Sequence, residues 1–349
     1  MNSSKITAAG DNRLAKWDNV KFLLIFLVVL GHVAKGFMGK SDGIGKIVYF
    51  IYLFHMPAFI FVSGLFSKRT VNEKRWDKIS SFLIIFYFMK VLGWIVKTLG
   101  GSKPGFSLLS EYGIAWYVLG MVFFILITMV IKKYSFSVIM VLSILLGCII
   151  GYDKSVGSFL SLSRVVTFYP FFYLGYSLDT QKLSSFLRKK VVVIASAGWV
   201  LTIIGLIWKY YEKVKWSYEY FLKGKGSFAM QFEDCPYVEL VDNAWLVRMG
   251  YYLIVFVTVI AVIALVPSVT SMFSRFGSKT LQVYALHESF MYLFLTILGG
   301  KAWLGTLNMK LAFLLILGFS IILTVFLSTK LFTPLFSILV NGVKKEKRT

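Results

Sequence analysis

The three histidines of the chain all lie in strongly apolar stretches, where an ionisable side chain is unexpected. His32 closely follows the uninterrupted apolar run Phe22–Leu30. His55 lies in a second such stretch, and His287 directly precedes Glu288 in a third. A neutral imidazole, with an ordinary pKa of about 6.5, can take a proton from a hydroxyl, so these residues predict acid–base chemistry. The alternative is structural, because a histidine can also cap a helix or form a hydrogen bond inside a bundle.

Four basic residues also fall within or at the ends of apolar stretches. Lys21 precedes His32 by three helical turns, about 16 Å along the axis. It either binds an anionic ligand or extends to lipid headgroups. Lys90 requires a counter-charge or loses its proton. Arg164 either links to helix carbonyls or clamps an anionic or polar substrate. Arg248, at the start of a later stretch, is expected to be an interfacial anchor.

The composition is that of an integral membrane protein. Of the 349 residues, 58% are hydrophobic and 15% are charged, against about half and a quarter in soluble domains. The net charge of +22 comes mostly from short basic runs between apolar segments. Such runs are typical of topology signals, so membrane lipids are expected partners and nucleic acid is not. Cys148 lies in an apolar segment and Cys235 in a polar one, so neither a disulfide nor redox chemistry is expected.

We predict ten membrane spans, because each span needs about 20 mostly apolar residues. They cover roughly 20–38, 47–67, 80–98, 114–131, 136–152, 159–178, 191–208, 248–266, 280–298 and 311–329. With both termini in the cytoplasm, the basic clusters lie inside, as the positive-inside rule requires. Lipid cannot satisfy backbone hydrogen bonds, so the predicted fold is a single all-α polytopic bundle covering residues 1–349. A cytoplasmic tail (1–19), an extracytoplasmic loop (about 209–245) and a basic cytoplasmic tail (about 330–349) complete it.

In this arrangement the three histidines share one depth. Each lies within roughly 5 Å of the midpoint of its span, and His32 and His55 occupy consecutive antiparallel helices. Glu288 is the only acid deep within any predicted span. A shared polar layer favours a functional site over separate structural histidines. It also suits a proton-coupled transporter or glycan exporter, and this alternative remains open.

Five stretches also resemble one family of membrane proteins and occur in its order. They are DNVKFLLIFLVVLGH, FHMPAFIFVSGLFSKR, AWYVLGMVF, LSRVVTFYPFFYLGYSL and FGSKTLQVYALHESF. Together they resemble the acyltransferase type 3 membrane proteins, with the closest likeness to the fucose 4-O-acetylase-like branch. The resemblance implies a bundle of about ten helices that moves an acyl group, usually acetyl, from cytoplasmic acyl-CoA to a hydroxyl. The implied acceptor is an extracytoplasmic or lipid-linked glycan or polysaccharide. The implied location is the plasma membrane of a bacterium.

The resemblance also implies where the donor binds. The family's signature is an arginine, ten residues and a histidine; His32 matches the histidine, and Lys21 stands at the arginine position. Lysine supplies charge to a phosphate but not the bidentate guanidinium fork. Acetyl-CoA is the expected donor substrate, no metal is expected, and the CoA phosphates should meet basic residues of the inner face. The candidates are Lys21, Lys68, Arg69, Lys74, Arg75 and Lys78, for most of which a solvated, lipid-binding face is the alternative.

The resemblance assigns the chemistry to His32 as general base, with an acyl-histidine relay as a variant. Four further residues are expected to orient the acceptor or stabilise the oxyanion: His55, Arg164, His287 and Glu288. Trp116 and Tyr284, from the third and fifth stretches, are expected to bind substrate together with Arg164. Release of CoA by the purified protein would distinguish this enzyme from a carrier.

The outer segment Lys209–Trp245 is expected to select the acceptor, because long polar loops are usually functional or disordered. Its aromatic residues offer flat surfaces on which a sugar ring can stack: Tyr210, Tyr211, Trp216, Tyr218, Tyr220 and Phe221. Its acids could accept hydrogen bonds from sugar hydroxyls: Glu212, Glu219, Glu233 and Asp234. The alternative is that the aromatic residues form a belt at the membrane interface.

Overall fold

The structure is a computed structural model that describes residues 2–110, 113–155, 159–218, 221–233 and 235–345, with the backbone alone at 2–14, 272–273 and 341–345. Fifteen α-helices account for most of this part of the chain. They are α1 (Asn2–Ala34), α2 (Asp42–Leu65), α3 (Lys68–Asn72), α4 (Trp76–Leu99), α5 (Trp116–Ile131), α6 (Phe136–Ile149), α7 (Leu162–Ser177), α8 (Thr180–Leu187), α9 (Lys190–Val214), α10 (Phe228–Phe232), α11 (Ala244–Leu265), α12 (Thr280–Tyr292), α13 (Gly300–Thr306), α14 (Met309–Leu327) and α15 (Thr333–Lys345).

The helices confirm the predicted all-α class, and one lies at each of the ten positions predicted to be spans. Among the described residues, six helical stretches are long and apolar enough to cross a membrane: Ala15–Lys40, Asp42–Leu65, Trp76–Leu99, Lys190–Tyr218, Val238–Leu265 and Met309–Leu327. A seventh forms if Ser274–Ile297 and Gly300–Thr306, bent by 61°, make one broken span. The protein is therefore a multi-pass membrane protein, and the exact number of spans and the side of each terminus stay predictions.

Helix α2 lies at the centre of the bundle and packs most closely against α7. Gly64 of α2 and Gly175 of α7 make this approach possible. A Cβ atom on Gly64 would collide with the carbonyl oxygen of Phe172, and one on Gly175 would collide with that of Phe61. Small residues at a crossing let two backbones come into contact, as is common in membrane bundles. The contact fixes α7 against the helix that carries His55.

Polar side chains near its middle hold helix α1 in place. Lys16, 1% exposed, donates from Nζ to the carbonyls of Ile263 (3.0 Å) and Val266 (2.9 Å), which lie at the end of α11. Lys16 therefore caps a helix instead of adding to a solvated basic tail. Asn19 donates from Nδ2 to the carbonyls of Pro267 and Val269. These bonds set the position of α1, and hence of His32.

The outer segment departs from the expected exposed loop. Helix α9 continues to Val214, a 3-10 helix covers Lys215–Tyr218, and α10 and a second 3-10 helix (Val238–Asn243) lead into α11. Several of its aromatic side chains are buried against the bundle: Tyr211, Tyr218, Phe221, Phe228 and Phe232. The prediction that Tyr211, Tyr218 and Phe221 offer flat surfaces to a sugar ring is therefore wrong, because these side chains are buried. Glu219, Tyr220 and Asp234, which belong to the same prediction, lie outside the described residues.

Arg248 explains how the outer segment is held in place. Its side chain is 1% exposed, so the expected interfacial anchor is wrong. Nη1 donates to the carbonyl of Phe221 (3.1 Å), and Nη2 donates to Oε1 of Gln231 (3.1 Å). The guanidinium carbon also lies 4.1 Å from the ring centroid of Phe221. Arg248 therefore links α11 to the folded outer segment from inside the protein.

Candidate active site

Four aromatic rings from three helices form a continuous series at the predicted histidine layer. The ring centroids of His287 and His32 are 5.4 Å apart, those of His32 and Tyr52 6.0 Å, and those of Tyr52 and His55 4.7 Å. His32 comes from the last turns of α1, Tyr52 and His55 from α2, and His287 from α12. The structure thus brings together all three histidines, which are far apart in the sequence.

Backbone hydrogen bonds set the tautomers of two of these histidines. Nδ1 of His55 lies 2.7 Å from the carbonyl oxygen of Ile51, and Nδ1 of His287 lies 2.8 Å from that of Tyr284. A carbonyl only accepts, so each Nδ1 carries the proton and, in a neutral ring, each Nε2 keeps its lone pair. Nε2 of His287 is buried and has no hydrogen-bond partner among the described residues. It is therefore a proton acceptor beside His32.

The histidine cavity, of about 310 Å³, lies against this series of rings. Its wall contains six of the seven residues predicted to perform catalysis or bind the acceptor: His32, His55, Trp116, Arg164, Tyr284 and Glu288. The seventh, His287, contacts His32 and Tyr284. Residues from α1, α2, α5, α7 and α12 therefore meet around one space that a small substrate group can occupy.

Arg164 bonds to a backbone carbonyl and also faces the histidine cavity. Its Nη1 donates to the carbonyl of Gly113 (3.3 Å), and its guanidinium carbon lies 5.1 Å from the ring centroid of Trp116. The same side chain lines the histidine cavity. The hydrogen bond and the aromatic contact fix the plane of the guanidinium, which is the geometry suited to an anionic or polar ligand.

Sequence reasoning missed four lysines of the same wall: Lys35, Lys97, Lys223 and Lys225. Lys97 pairs with Glu288 (Nζ to Oε1, 3.6 Å), although the two residues come from different helices. Lys35 could have been found, because it lies three residues after His32 and so on the same helical face. Lys223 and Lys225 belong to the outer segment, and no local pattern indicates that they reach the histidines.

A second space, the Lys21 cavity of about 300 Å³, lies among α1, α2, α4, α5 and α12. Lys21 and Lys78 line it together with mostly apolar side chains. Lys21 Nζ lies 3.3 Å from Oδ1 of Asp18 and 4.4 Å from the ring centroid of Phe66. The cavity therefore combines two ammonium groups with an apolar wall.

Four other predicted phosphate-binding residues lie outside this cavity: Lys68, Arg69, Arg75 and the exposed Lys74. Arg69 is exposed and pairs with Glu73 (2.9 Å), and Arg75 pairs with Asp77 (2.8 Å). Lys68 is half-buried and does not line the Lys21 cavity. Of the basic cluster between α2 and α4, the structure therefore brings only Lys78 to Lys21.

Tyr284 forms part of the wall of both cavities. Its ring centroid lies 5.0 Å from that of Tyr117, which in turn lies 5.3 Å from that of Phe59. The hydroxyl of Tyr284 donates to the carbonyl of Ile114. These three rings are named the aromatic partition: all of them line the Lys21 cavity, and Tyr284 also lines the histidine cavity.

Among the described residues, no group of three or more histidine, cysteine, aspartate or glutamate side chains is arranged to hold a metal ion. Two of the three neighbouring histidines donate from Nδ1 to carbonyls, which leaves Nε2 of each neutral ring with its lone pair. The site therefore combines unprotonated imidazole nitrogen, positive charge and a hydrophobic approach. These features suit proton transfer from a hydroxyl and stabilisation of a developing oxyanion.

Comparison with known proteins gives one match that covers nearly the whole chain. A family model described as an acyltransferase domain (Acyl_transf_3) matches residues 14–329. Two curated proteins match short segments. Nodulation protein NolL of Sinorhizobium fredii is 40% identical over 68 residues, 19% of each chain. Nodulation protein NolL of Mesorhizobium japonicum is 30% identical over 99 residues, 26% of each chain. The matched segments thus span about a fifth to a quarter of these relatives. No solved structure matches the chain significantly.

Proposed function

The chain belongs to the acyltransferase type 3 family, and on this premise we propose that it is a membrane O-acyltransferase. It moves an acyl group, acetyl above all, from cytoplasmic acyl-CoA to a hydroxyl of an extracytoplasmic or lipid-linked glycan. The family match confirms the family that the five sequence stretches predicted, while the fucose 4-O-acetylase-like branch stays a prediction. One observation carries the proposal: Tyr284 lines two cavities, one of which also contains Lys21 and the other His32.

In this proposal the Lys21 cavity receives the donor. Lys21 and Lys78 contact the phosphates of CoA, while the apolar wall accommodates the pantetheine arm. His32 lies eleven positions after Lys21 in α1, about 16 Å along a helix, a distance that an extended pantetheine arm can span. The thioester then lies near the aromatic partition and within reach of His32. Lys68, Arg69 and Arg75 contribute long-range attraction at the same face.

In the histidine cavity, His32 acts as general base. It takes the proton from the acceptor hydroxyl as the oxygen forms a bond to the thioester carbonyl carbon. The tetrahedral oxyanion is stabilised by the positive wall, in which Arg164 is oriented by Trp116. The carbon–sulfur bond then breaks, and the leaving CoA sulfur takes the proton back from His32. An acyl-histidine relay remains the variant of this mechanism.

His287 supports His32 through Nε2, the ring nitrogen that has no hydrogen-bond partner among the described residues. Two imidazole rings with centroids 5.4 Å apart can share an N–H···N hydrogen bond. When His32 becomes an imidazolium, Nε2 of His287 can accept its proton as a hydrogen bond, because Nδ1 of His287 is already engaged with Tyr284. In this way His287 stabilises the charged base, as the third residue of a catalytic triad does.

The decisive experiment for the reaction class is acyl-CoA turnover. Purified protein in lipid nanodiscs should release CoA slowly from acetyl-CoA without any acceptor, since water can replace the glycan hydroxyl. Nanodiscs have no enclosed compartment, so transport cannot produce this signal. Release of CoA supports the enzyme. Its absence, with protein that remains folded, would favour the proton-coupled carrier or exporter.

A further inference from the structure

The turn Lys223–Gly226 places two lysines in the wall of the histidine cavity, and its backbone allows few substitutions. Gly224 (φ +58°) and Gly226 (φ +71°) both lie in the left-handed region that favours glycine. A Cβ atom on Gly224 would also lie 3.1 Å from Phe168 and from Thr167. The alternation of lysine and glycine thus produces a tight turn that presents both lysine side chains to the cavity.

Buried polar side chains hold this turn from three sides. Ser163 Oγ donates to the carbonyl of Gly224 (2.9 Å), and Gln231 Nε2 donates to that of Gly226 (2.9 Å). Arg248 donates to Oε1 of Gln231 and to the carbonyl of Phe221, which lies two residues before the turn. Ser163, Gln231 and Arg248 are all nearly inaccessible to solvent. Burial of polar groups is unfavourable unless they are bonded, so these bonds restrict the turn to one backbone conformation. Among the described residues, Nε of Arg248 is the nitrogen of this network that has no hydrogen-bond partner.

The described part of the cavity wall carries mostly positive charge. Among the described residues, its wall contains five cationic side chains: Lys35, Lys97, Arg164, Lys223 and Lys225. It contains one carboxylate, Glu288, which pairs with Lys97. A concave, low-dielectric wall of one sign concentrates ligands of the opposite charge. A single transient oxyanion requires far less positive charge than this wall holds.

We infer that the acceptor is an acidic glycan whose anionic group, a carboxylate or a phosphate, binds Lys223 and Lys225. The inference rests on the proposed function, which assigns the CoA phosphates to the Lys21 cavity and so leaves this second positive site to the acceptor. The turn, and not the aromatic residues of the outer segment, then selects the substrate. The hydroxyl that is acylated lies on the sugar beside the anionic group, toward His32.

The test compares three sugars that differ only at C6: methyl glucoside, methyl glucuronide and methyl glucoside 6-phosphate. Full-length protein in nanodiscs is assayed for acetyl-CoA turnover and, without acetyl-CoA, for thermal stabilisation by each sugar, which reports binding alone. We expect a charged sugar to raise turnover and thermal stability at a concentration about tenfold lower than the neutral glucoside does. This ratio corresponds to ~1.4 kcal/mol of binding free energy. Preference for the glucuronide supports a uronate acceptor, and preference for the phosphate supports a phosphorylated one.

The double variant K223Q/K225Q should remove this preference. The matched control is K213Q/K215Q, with the same spacing in the same segment; Lys215 is exposed and pairs with Glu212 (2.6 Å), away from the cavity. The control should keep the preference. Three results would overturn the inference. The three sugars could raise turnover and thermal stability of the native protein equally, or none of them could do so. The third result is a preference for a charged sugar that survives in K223Q/K225Q. Acetyl-CoA hydrolysis that persists in those cases would leave the proposed function standing, whereas its absence would count against that function separately.

Discussion

The imidazole rings of His32 and His287 lie 5.4 Å apart, centroid to centroid, although they come from the first and the twelfth helices. His287 donates through Nδ1 to the carbonyl of Tyr284, and its Nε2 is buried without a hydrogen-bond partner in the described part of the chain. The pair therefore consists of one imidazole at the cavity wall and one fixed proton acceptor beside it. This arrangement gives His287 a role that differs from that of a merely buried ring.

His287→Phe should lower kcat for acyl transfer on the order of a hundredfold, the lower range for loss of assistance to proton transfer. The phenyl ring retains most of the packing but cannot accept a hydrogen bond from the His32 imidazolium. The KM for acyl-CoA should stay unchanged, because His287 does not line the Lys21 cavity. Steady-state kinetics check both values. A raised KM with normal kcat would show that His287 supports donor binding instead.

Lys21→Met should raise the KM for acyl-CoA about tenfold, the effect of losing ~1.4 kcal/mol of binding. Lys21→Arg should retain most activity, since the proposed role is positive charge beside a phosphate. Lys46→Met is the matched control: Lys46 lies near the rings of Trp208 and Tyr211 and contributes to neither cavity. An unchanged KM in Lys21→Met would mean that Lys21 only extends to lipid headgroups.

Tyr284→Ala should shift the products from acyl-glycan toward free acid. Removing this ring opens the aromatic partition between the two cavities and admits water to the thioester. The expected result is a higher ratio of acetyl-CoA hydrolysis to acetyl transfer, measured by CoA release and by mass spectrometry of the acceptor. Tyr284→Phe, which retains the ring and loses the hydroxyl that bonds to Ile114, serves as control and should stay close to the native ratio. The same ratio in native protein and Tyr284→Ala would exclude a barrier at this position.

Gly175→Ala should destabilise the bundle by about 1–3 kcal/mol, as overpacking of a tight core does. The added methyl group would collide with the carbonyl of Phe61 and force α7 away from α2. Gly198→Ala in α9 is the control, because nothing lies within 4 Å of a Cβ atom there. Thermal unfolding in detergent measures the difference. Equal unfolding temperatures for the two variants would show that α2 and α7 can accommodate the added methyl group without loss of stability.

Much of the fold follows from simple patterns. Apolar runs predict helices at the positions where they occur, since a backbone in lipid must bond to itself. The rise per residue places His32, His55 and His287 at similar depth, and the structure brings the three rings together. The roles of residues that act through tertiary contacts cannot be predicted from such patterns. Lys16 has the sequence context of a tail lysine, and only the position of α11 reveals that it caps a helix.

The outer segment shows the same limit more strongly. Its composition indicates a polar loop, yet Tyr218 and Phe221 are buried. Burial here depends on Arg248, whose bonds to distant backbone cannot be read from spacing. The positions of Lys223 and Lys225 follow from that packing. For the same reason, replacing this segment by a flexible linker would remove core side chains, so point variants are the sharper test of acceptor selection.

The proposed reaction depends above all on His32 as the base that acts where donor and acceptor come together. This role is tested by mass spectrometry of acetyl groups on surface glycans, in cells that express either the native chain or His32→Ala at equal membrane levels. His55→Ala is measured in parallel to distinguish the base from a neighbouring residue of the cavity. We expect acetyl groups to disappear in His32→Ala and some acetylation to survive in His55→Ala. Undiminished acetylation in His32→Ala would show that His32 is not the base.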